Sequence, residues 1–307
     1  MQTTIRSSLS FRGRGLHTGR KTSMTLHPAS AEYGIWFRRT DVLDRDPMIA
    51  ARWDAVVASE LCTKLANADG VTVSTIEHIM AALAGTGISN VLIDIDGPEV
   101  PILDGSAAEF VAGILAKGVQ GQTAPVRAIE ILEPVEVRNG SAYARLKPSA
   151  AFEIDFQIEF SEAAIGTQHK TLNMANGAFV RELCDSRTFC RHEDVQVMRA
   201  RGLALGGTMD NAVVVDGDEV LTPGGLRHAD EAVRHKMLDA LGDLLLAGAP
   251  LLARYEGHKA GHAMTAALLK TLFARPEAFR IVECDSVQSA RLPGAGLSRA
   301  DAPALAA

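Results

Sequence analysis

The sequence predicts an α+β fold made of two related halves, and three observations support this prediction. Strand-like and helix-like segments follow in the same order on either side of a polar stretch at 118–125. Residues 143–148 and 152–156 resemble residues 24–28 and 33–37, respectively. A helix in each half also carries a histidine followed by methionine at +2 and glycine at +7. We therefore predict an internal duplication, which would favour a ligand site between the halves.

The polar, glycine-containing stretch at 118–125 marks the predicted domain boundary. The first domain is predicted at 1–120 and the second at 126–297, each with a small insertion. The second-domain insertion, at about 190–225, combines a short helix with apolar segments in a βαβ-like order. Simple packing is the plainer interpretation of this insertion, and a groove for an apolar ligand is the alternative. Low-complexity residues 298–307 are predicted to form a flexible tail.

The elements of the first half are predicted from hydrophobic period and turn residues. Residues 22–37 alternate around a central turn, which predicts a hairpin. A helix is predicted at 74–83, where Ser74 and Glu77 fit a capping box. This cap is a purely structural explanation of Glu77. The other predicted elements are short strands at 61–65 and 71–73, a strand at 90–95 and a helix from 104 to about 117.

The second half repeats this order of elements. It begins with a strong hairpin turn signal at Asn139 and Gly140. A short helix at 195–201 belongs to the insertion. The other predicted elements are strands at 135–137, 143–148, 152–156, 212–215 and 251–255, and helices at 230–246 and 263–273.

The helix at 230–246 carries two stripes of residues. His235, Asp239 and Asp243 are spaced by four and share one side of the helix. A histidine and a carboxylate one turn apart can bind the same metal ion. The alternative is a polar surface stripe that only stabilises the helix. The other stripe is apolar and predicts a buried face formed by Val233, Met237, Leu241, Leu244 and Leu245.

Composition argues against several classes of protein. The formal net charge of -6 offers no global basic field for nucleic acid, and no apolar run approaches the roughly 20 residues of a membrane span. The first residues lack the apolar region of a signal peptide. The four cysteines show neither zinc-module nor disulfide-framework spacing, so we expect a cytoplasmic protein with reduced thiols.

The repeated helix pattern places His78 and His235 at equivalent positions in the two halves. Together with Asp239 they would form a three-residue zinc site with an open fourth position, as catalytic zinc requires. Such an ion activates water and polarises a carbonyl group. Glu77 is next to His78 and is a candidate general base. His262 is a candidate general acid for an amine leaving group.

Asp243 is the predicted partner of the His262 imidazole. An adjacent carboxylate should raise the pKa of His262 and keep the imidazole protonated at neutral pH. His262, held by Asp243, would therefore donate a proton to the leaving amine, while Glu77 would remove one from water.

Six short blocks stand out in the sequence, at residues 15–19, 74–78, 104–107, 186–189, 235–243 and 259–262. Together they resemble the UDP-3-O-acyl-N-acetylglucosamine deacetylase family, the zinc enzymes of lipid A biosynthesis. The resemblance covers nearly the whole chain, and its strength lies in the order and separation of the blocks. It implies two βα sandwich domains with the active site between them.

The resemblance implies a role for each matching residue. One zinc ion per chain would be held by His78, His235 and Asp239, although iron(II) or cobalt also suits this donor set. The insertion at about 190–225 would form a passage for the 3-O-acyl chain. The remaining roles are Glu77 as general base, His262 as general acid oriented by Asp243, Thr188 as oxyanion donor, Lys236 and His17 as contacts to the sugar or diphosphate, Lys147 as a further substrate contact, and Phe189 as a residue packed near the sugar.

The reaction implied is hydrolysis of the 2-acetamido group of UDP-3-O-acyl-N-acetylglucosamine to acetate and a free amine. A zinc amidohydrolase of the same fold acting on another acyl-amide or nucleotide sugar is the first alternative. A non-catalytic binding protein with a structural zinc is the second. We expect a monomer. The tail at 298–307 is expected to be a spacer, and a handle for an ATP-dependent protease is the alternative that the resemblance implies.

Overall fold

A computed structural model describes residues 1–305 of the chain. Within these residues it shows no helix long and apolar enough to cross a membrane. Single 3-10 turns occur at Trp53–Ala55, Pro276–Ala278 and Arg299–Asp301. The α-helices are α1 (Glu77–Thr86), α2 (Ala108–Lys117), α3 (Ala178–Glu182), α4 (His192–Ala200), α5 (Glu231–Leu245), α6 (His262–Phe273) and α7 (Ser286–Ala290).

The strands form two large sheets and three small ones. The first ten are β1 (Thr3–Ile5), β2 (Leu9–Arg14), β3 (Lys21–Pro28), β4 (Ile35–Arg39), β5 (Met48–Ala50), β6 (Val56–Val57), β7 (Lys64–Ala66), β8 (Thr72–Ser74), β9 (Val91–Ile95) and β10 (Val119–Gly121). The others are β11 (Arg127–Ile131), β12 (Val135–Asn139), β13 (Ala142–Pro148), β14 (Glu153–Glu159), β15 (Thr167–Asn173), β16 (Phe189–Arg191), β17 (Val213–Asp216), β18 (Glu219–Val220), β19 (Leu251–His258) and β20 (Phe279–Glu283).

The first large sheet has the strand order β2-β3-β9-β4-β5. Strand β9 lies between β3 and β4, antiparallel to β3 and parallel to β4. The hairpin predicted at 22–37 is therefore wrong, because a strand from later in the chain separates its two arms. Alternate residues such as Met24, Leu26 and Ile93 are fully buried, so one face of the sheet covers the core.

The second large sheet shows the same pairing around β19. Strand β19 is antiparallel to β13 and parallel to β14. The hairpin of β12 and β13 confirms the turn signal, with Gly140 at φ +59°. The inner face of this sheet buries Ala144, Leu146 and Tyr255. Each large sheet thus has its buried face against helices.

Helices α1 and α5 pack directly against each other. Their approach is close because Gly242 has no side chain. A Cβ atom at this position would lie 2.1 Å from the carbonyl oxygen of Glu77. Gly85 on α1 is in a similar position, since a Cβ atom there would lie 1.9 Å from the ring of Phe179. One continuous hydrophobic core includes residues of both helices, such as Ile79 and Met237.

The start of α1 differs from the prediction. Ser74 lies in strand β8, and its hydroxyl donates to the carbonyl of Pro98 rather than to the helix. The helix begins at Glu77 after Thr75, which has φ +56°. The capping box predicted for Ser74 and Glu77 is therefore wrong, and Glu77 is free for another role. The C-terminus of α1 has Gly87 at φ +74°, a common helix end.

The small sheets account for the remaining strands. The polar stretch at 118–125 contains β10, which pairs with β1 near the N-terminus. Strands β6, β7 and β8 form a second small sheet. In the insertion at about 190–225, β16 and β17 are parallel and joined through α4, which confirms the βαβ-like pattern. The tail at 298–307 begins with a 3-10 turn, and the predicted protease handle includes Ala306 and Ala307, which lie outside the described residues.

Candidate metal centre and active site

The contact between α1 and α5 brings together His78, His235 and Asp239. One ligand atom from each residue lies within 4.8 Å of the other two. The Nε2 atoms of His78 and His235 are 3.7 Å and 3.3 Å from Asp239 Oδ1, and the two rings stand at 90°. All three side chains are buried. The alternative of an exposed polar stripe on α5 is therefore wrong.

The donor set fits one divalent metal ion. His235 Nδ1 lies 3.0 Å from the carbonyl oxygen of Ser186, which leaves Nε2 free to face the centre. Asp239 Oδ2 accepts a hydrogen bond from Lys236 Nζ at 2.7 Å. Among residues 1–305, Asp239 Oδ1 has no hydrogen-bond partner although it is buried. A buried acceptor without a donor, next to two imidazole nitrogens, is what a metal ligand looks like before the ion is added.

The protonation states of these residues suit a cation. Burial lowers the pKa of His78 to about 3, with a smaller contribution from His235, so its imidazole is neutral. Burial also lowers the pKa of His235. Burial alone would raise the pKa of Asp239, but His235 and Lys236 outweigh it and lower that pKa. Two neutral imidazoles and one carboxylate are therefore present at neutral pH.

Glu77 lies at the first position of α1, beside His78. Its Oε2 accepts a hydrogen bond from the main-chain N–H of Thr63 at 3.0 Å. The pKa of Glu77 is raised to about 7, chiefly by burial, with His262 opposing the rise and Asp243 and Asp239 adding to it. A carboxylate with a pKa near neutrality is well matched to accept and release a proton.

His262 and Asp243 form the predicted ion pair. The ring Nδ1 of His262 lies 2.8 Å from Asp243 Oδ2, and its Nε2 lies 3.9 Å from Asp239 Oδ2. Burial would lower the pKa of His262, but Asp243 and Glu77 outweigh it and raise that pKa to about 9. The imidazole is therefore protonated at neutral pH, and its Nε2–H faces the metal ligands.

The segment with Thr188 and Phe189 lies against the metal ligands. The main chain of Thr188 donates to Gly105 O and accepts from Val213 N, both at 2.8 Å. The Phe189 ring packs edge-on against His235, with 6.4 Å between centroids. The residue after Thr188 therefore contacts His235, while the role of Thr188 as oxyanion donor stays a prediction.

Arg187 and Glu231 hold this segment against α5, and apart from the Ser186–Phe189 block no sequence pattern pointed to them. Arg187 Nε donates to Glu231 Oε1 at 2.9 Å, and the main-chain N–H of Arg187 donates to the same oxygen at 3.0 Å. Both side chains are buried. Because α5 also carries His235, this ion pair holds the segment and the ligand in one arrangement.

His17 is buried in the turn predicted at residues 15–19. Its Nε2 is buried and has no hydrogen-bond partner within the described part of the chain. Burial lowers the pKa of His17, with Glu99 opposing and His262 contributing. The carboxylate of Glu99 accepts from the main chain of His17 at 2.7 Å and from Thr18 and Thr75. Sequence reasoning missed Glu99, since a lone glutamate after Gly-Pro carries no signal of burial.

Lys147 lies apart from the residues that surround the candidate metal ligands. It alternates with the buried Ala144 and Leu146, so it faces the opposite side of β13 from the core. Its Nζ donates to Glu256 Oε1 at 2.7 Å. The structure thus gathers the metal ligands, Glu77, Lys236, Asp243 and His262, but leaves Lys147 on the outer face of its sheet.

Comparison with known proteins decides the family. A family model described as LpxC, UDP-3-O-acyl N-acetylglycosamine deacetylase, matches residues 2–274. A UDP-3-O-acyl-N-acetylglucosamine deacetylase from Phenylobacterium zucineum (strain HLK1) is 51% identical over 280 residues, covering 91% of this chain and 96% of the relative. The chain belongs to this deacetylase family. A relative of the same name from Shewanella frigidimarina (strain NCIMB 400) is 42% identical over 300 residues, covering 96% and 98% of the two chains.

Membership in the deacetylase family makes this chain an enzyme of the hydrolase class. It also confirms the resemblance that the sequence blocks indicated. The mixed α/β architecture agrees with that family, and the His-His-Asp cluster is the candidate metal centre of a metalloenzyme.

Proposed function

We propose that the enzyme hydrolyses the 2-acetamido group of UDP-3-O-acyl-N-acetylglucosamine, giving acetate and a free amine, as a step of lipid A biosynthesis. The observation that carries this proposal is the grouping of Glu77 and His262 beside a buried His-His-Asp cluster. A deacetylase needs one group that removes a proton from water and another that protonates the amine. The relatives bear the name of this activity.

We infer that His78, His235 and Asp239 hold a zinc ion, with iron(II) as the alternative in the cell. When bound, zinc lowers the pKa of water and polarises the acetamido carbonyl group. Glu77 is next to His78 in the chain and His262 Nε2 lies 3.9 Å from Asp239 Oδ2, so both groups are beside this donor set. Lys236 donates to Asp239 Oδ2, which would leave Oδ1 available to bind the ion.

The protein residues then divide the proton transfers. Glu77 accepts a proton from the attacking water as the new C–O bond forms. Thr188 donates a hydrogen bond to the oxygen that gains negative charge. His262 gives its Nε2 proton to the nitrogen as the C–N bond breaks, while Asp243 keeps Nδ1 in place. The carboxylate form of Glu77 thus accepts a proton during the attack of water, and the protonated form of His262 donates one to the leaving amine.

The substrate contacts are proposed from position. His17 and Lys236 would contact the sugar or diphosphate, and the ring of Phe189 would pack near the sugar. The apolar residues Leu205 and Met209 of the insertion are exposed, which suits a passage for the 3-O-acyl chain. Lys147 would contact a more distant part of the substrate.

We further infer that the two halves arose by duplication. Its support is the shared pairing, in which β9 lies between β3 and β4 while β19 lies between β13 and β14. The equivalent helices α1 and α5 then supply one histidine each to a site between two sandwich domains at 1–120 and 126–297.

The test is acetate release from UDP-3-O-acyl-N-acetylglucosamine by the purified, zinc-loaded chain. We expect stoichiometric acetate and a free amine, and much weaker release from UDP-N-acetylglucosamine, which lacks the acyl chain. The Glu77→Gln variant controls for a contaminating hydrolase. Equal rates on the two sugars, or no acetate from a fully zinc-loaded protein, would instead favour another acyl-amide as substrate.

A further inference from the structure

Thr63 bonds to the two carboxylates that flank the metal ligands. It lies immediately before β7 and is 4% exposed. Its main-chain N–H donates to Glu77 Oε2 at 3.0 Å, and its Oγ1 donates to Asp243 Oδ1 at 2.5 Å. Glu77 belongs to α1 and Asp243 to α5. One residue outside both helices therefore holds the candidate base and the partner of the candidate acid.

The hydroxyl of Thr63 supplies the hydrogen bond to the second oxygen of the Asp243 carboxylate. Oδ2 of Asp243 is bonded to His262 Nδ1 at 2.8 Å, and Oδ1 is bonded to Thr63. A carboxylate held at one oxygen can still turn about its terminal torsion, which is broad and soft. Bonds at both oxygens fix its plane. The position of the His262 ring depends on that plane.

The backbone around Thr63 is held in an unusual shape. Leu61 has φ +62° and Thr75 has φ +56°, a region that residues other than glycine rarely adopt. The main-chain N–H of Ile76 lies 3.5 Å from the carbonyl oxygen of Thr63, which ties the segment to the start of α1. Such local strain persists where surrounding contacts enforce it. Here it directs the N–H of Thr63 at Glu77 and its hydroxyl at Asp243.

We propose that Thr63 is a positioning residue for proton transfer, acting on His262 through the orientation of Asp243. The proposal rests on the proposed function, in which His262 protonates the leaving amine. The Thr63 hydroxyl donates its hydrogen bond to Asp243 and not to substrate. Loss of this hydroxyl should therefore lower kcat and leave KM nearly unchanged. Loss of an equivalent supporting hydrogen bond typically lowers activity by about 10- to 100-fold.

The experiment compares Thr63→Val with Thr63→Ser in the zinc-loaded, full-length chain. Valine keeps the shape and the main-chain N–H but removes the hydroxyl, whereas serine keeps the hydroxyl. We expect kcat to fall about 10- to 100-fold for T63V and less than about threefold for T63S, with zinc content unchanged. Thr86→Val is the matched control, because Thr86 is also buried but its hydroxyl bonds to the carbonyl of Ala82 within α1.

A double-mutant cycle separates positioning from general support of the fold. If Thr63 acts through Asp243, the T63V change should cost little in a protein that already carries Asp243→Ala. Full additivity of the two losses would overturn the proposal. So would equal activity of T63V and wild type, or a T63S variant as slow as T63V.

A spectroscopic measurement keeps this inference separate from the proposed function. The His262 Nδ1 proton, hydrogen-bonded to Asp243, should give a downfield proton NMR signal that is absent from His262→Ala. We expect T63V to shift or broaden this signal and T63S to retain it. If wild type released no acetate, the proposed function would fail, whereas an unchanged signal in T63V would overturn the role of Thr63.

Discussion

Burial acts in opposite directions on the pKa values of Glu77 and His262, the two groups that we assign to proton transfer. It raises the pKa of Glu77 to about 7, because the carboxylate loses its hydration. It would lower the pKa of His262, but the adjacent Asp243 carboxylate outweighs it and the pKa rises to about 9. Between these values Glu77 is ionised and His262 is protonated, which is the combination that amide hydrolysis requires.

The pH dependence of kcat/KM should therefore be bell-shaped. Below about pH 7 Glu77 is protonated and cannot accept a proton, and above about pH 9 His262 has lost the proton it donates. These limbs belong to a coupled site rather than to isolated residues. We expect Glu77→Gln and His262→Ala each to lower kcat/KM by about 10²- to 10⁴-fold. A basic limb that survives in His262→Ala would contradict the assignment of the acid.

Ser186 offers a stability prediction close to the same site. Its side chain is fully buried, and its Oγ lacks a hydrogen-bond partner in the chain as described from residue 1 to residue 305. Ser186→Ala removes this hydroxyl but keeps the carbonyl that orients His235. We expect the free energy of unfolding, measured by urea denaturation, to rise by about 1 kcal/mol.

The matched control for this change is Ser106→Ala. Ser106 is equally buried, but its hydroxyl bonds to Asp104 at 2.8 Å. Its removal should destabilise the protein by about 1–3 kcal/mol, because the half-buried Asp104 carboxylate loses a donor. Destabilisation of the same size by Ser186→Ala would show that the Ser186 hydroxyl does have a partner, such as an ordered water molecule.

At the scale of elements, the α1–α5 contact determines whether the metal centre exists. His78 comes from one helix, and His235 and Asp239 come from the other. The spacing of His235 and Asp239 was readable from the sequence because both lie on one helix. The prediction that His78 lies close to them depended on the pattern shared by the two helices, in which methionine follows the histidine at +2 and glycine at +7. The position of β9 between β3 and β4 could not be predicted from the sequence, because strand pairing between distant segments leaves no local sequence pattern.

Gly242→Ala should separate the two helices. The new Cβ atom would lie 2.1 Å from Glu77 O and 3.0 Å from Ala81 N, so main-chain atoms must move apart. Overpacking of this kind typically costs about 1–3 kcal/mol. We expect a lower midpoint of thermal unfolding and a larger zinc dissociation constant, both measured on purified protein.

Gly121→Ala provides the comparison for this helix contact. Gly121 lies in β10 and a Cβ atom there would meet nothing within 4 Å. This variant should bind zinc as wild type does. If Gly242→Ala also bound zinc normally, the close approach of α1 and α5 would not be what sets the ligand geometry.

At the scale of the whole molecule, α1 and α5 meet at the candidate site and belong to one continuous hydrophobic core that includes residues of both large sheets. The sequence was sufficient for the mixed α/β class, the family resemblance and the clustering of His78, His235 and Asp239, since these depend on short motifs with fixed spacing. It was insufficient for Thr63 and Glu99, whose importance lies in bonds to residues 14 to 180 positions away. It also misassigned Ser74 as a cap, because a positive φ at Thr75 intervenes before the helix.

The most direct test of the account is a zinc titration of the chelated, full-length chain, with bound metal and acetate release from UDP-3-O-acyl-N-acetylglucosamine measured in the same samples. We predict that activity is lost on chelation, returns in proportion to bound zinc and reaches its plateau at one ion per chain. The Asp239→Ala variant should show neither tight binding nor activity. Full activity without bound metal, or wild-type zinc affinity in Asp239→Ala, would contradict the assignment of His78, His235 and Asp239 as the metal centre.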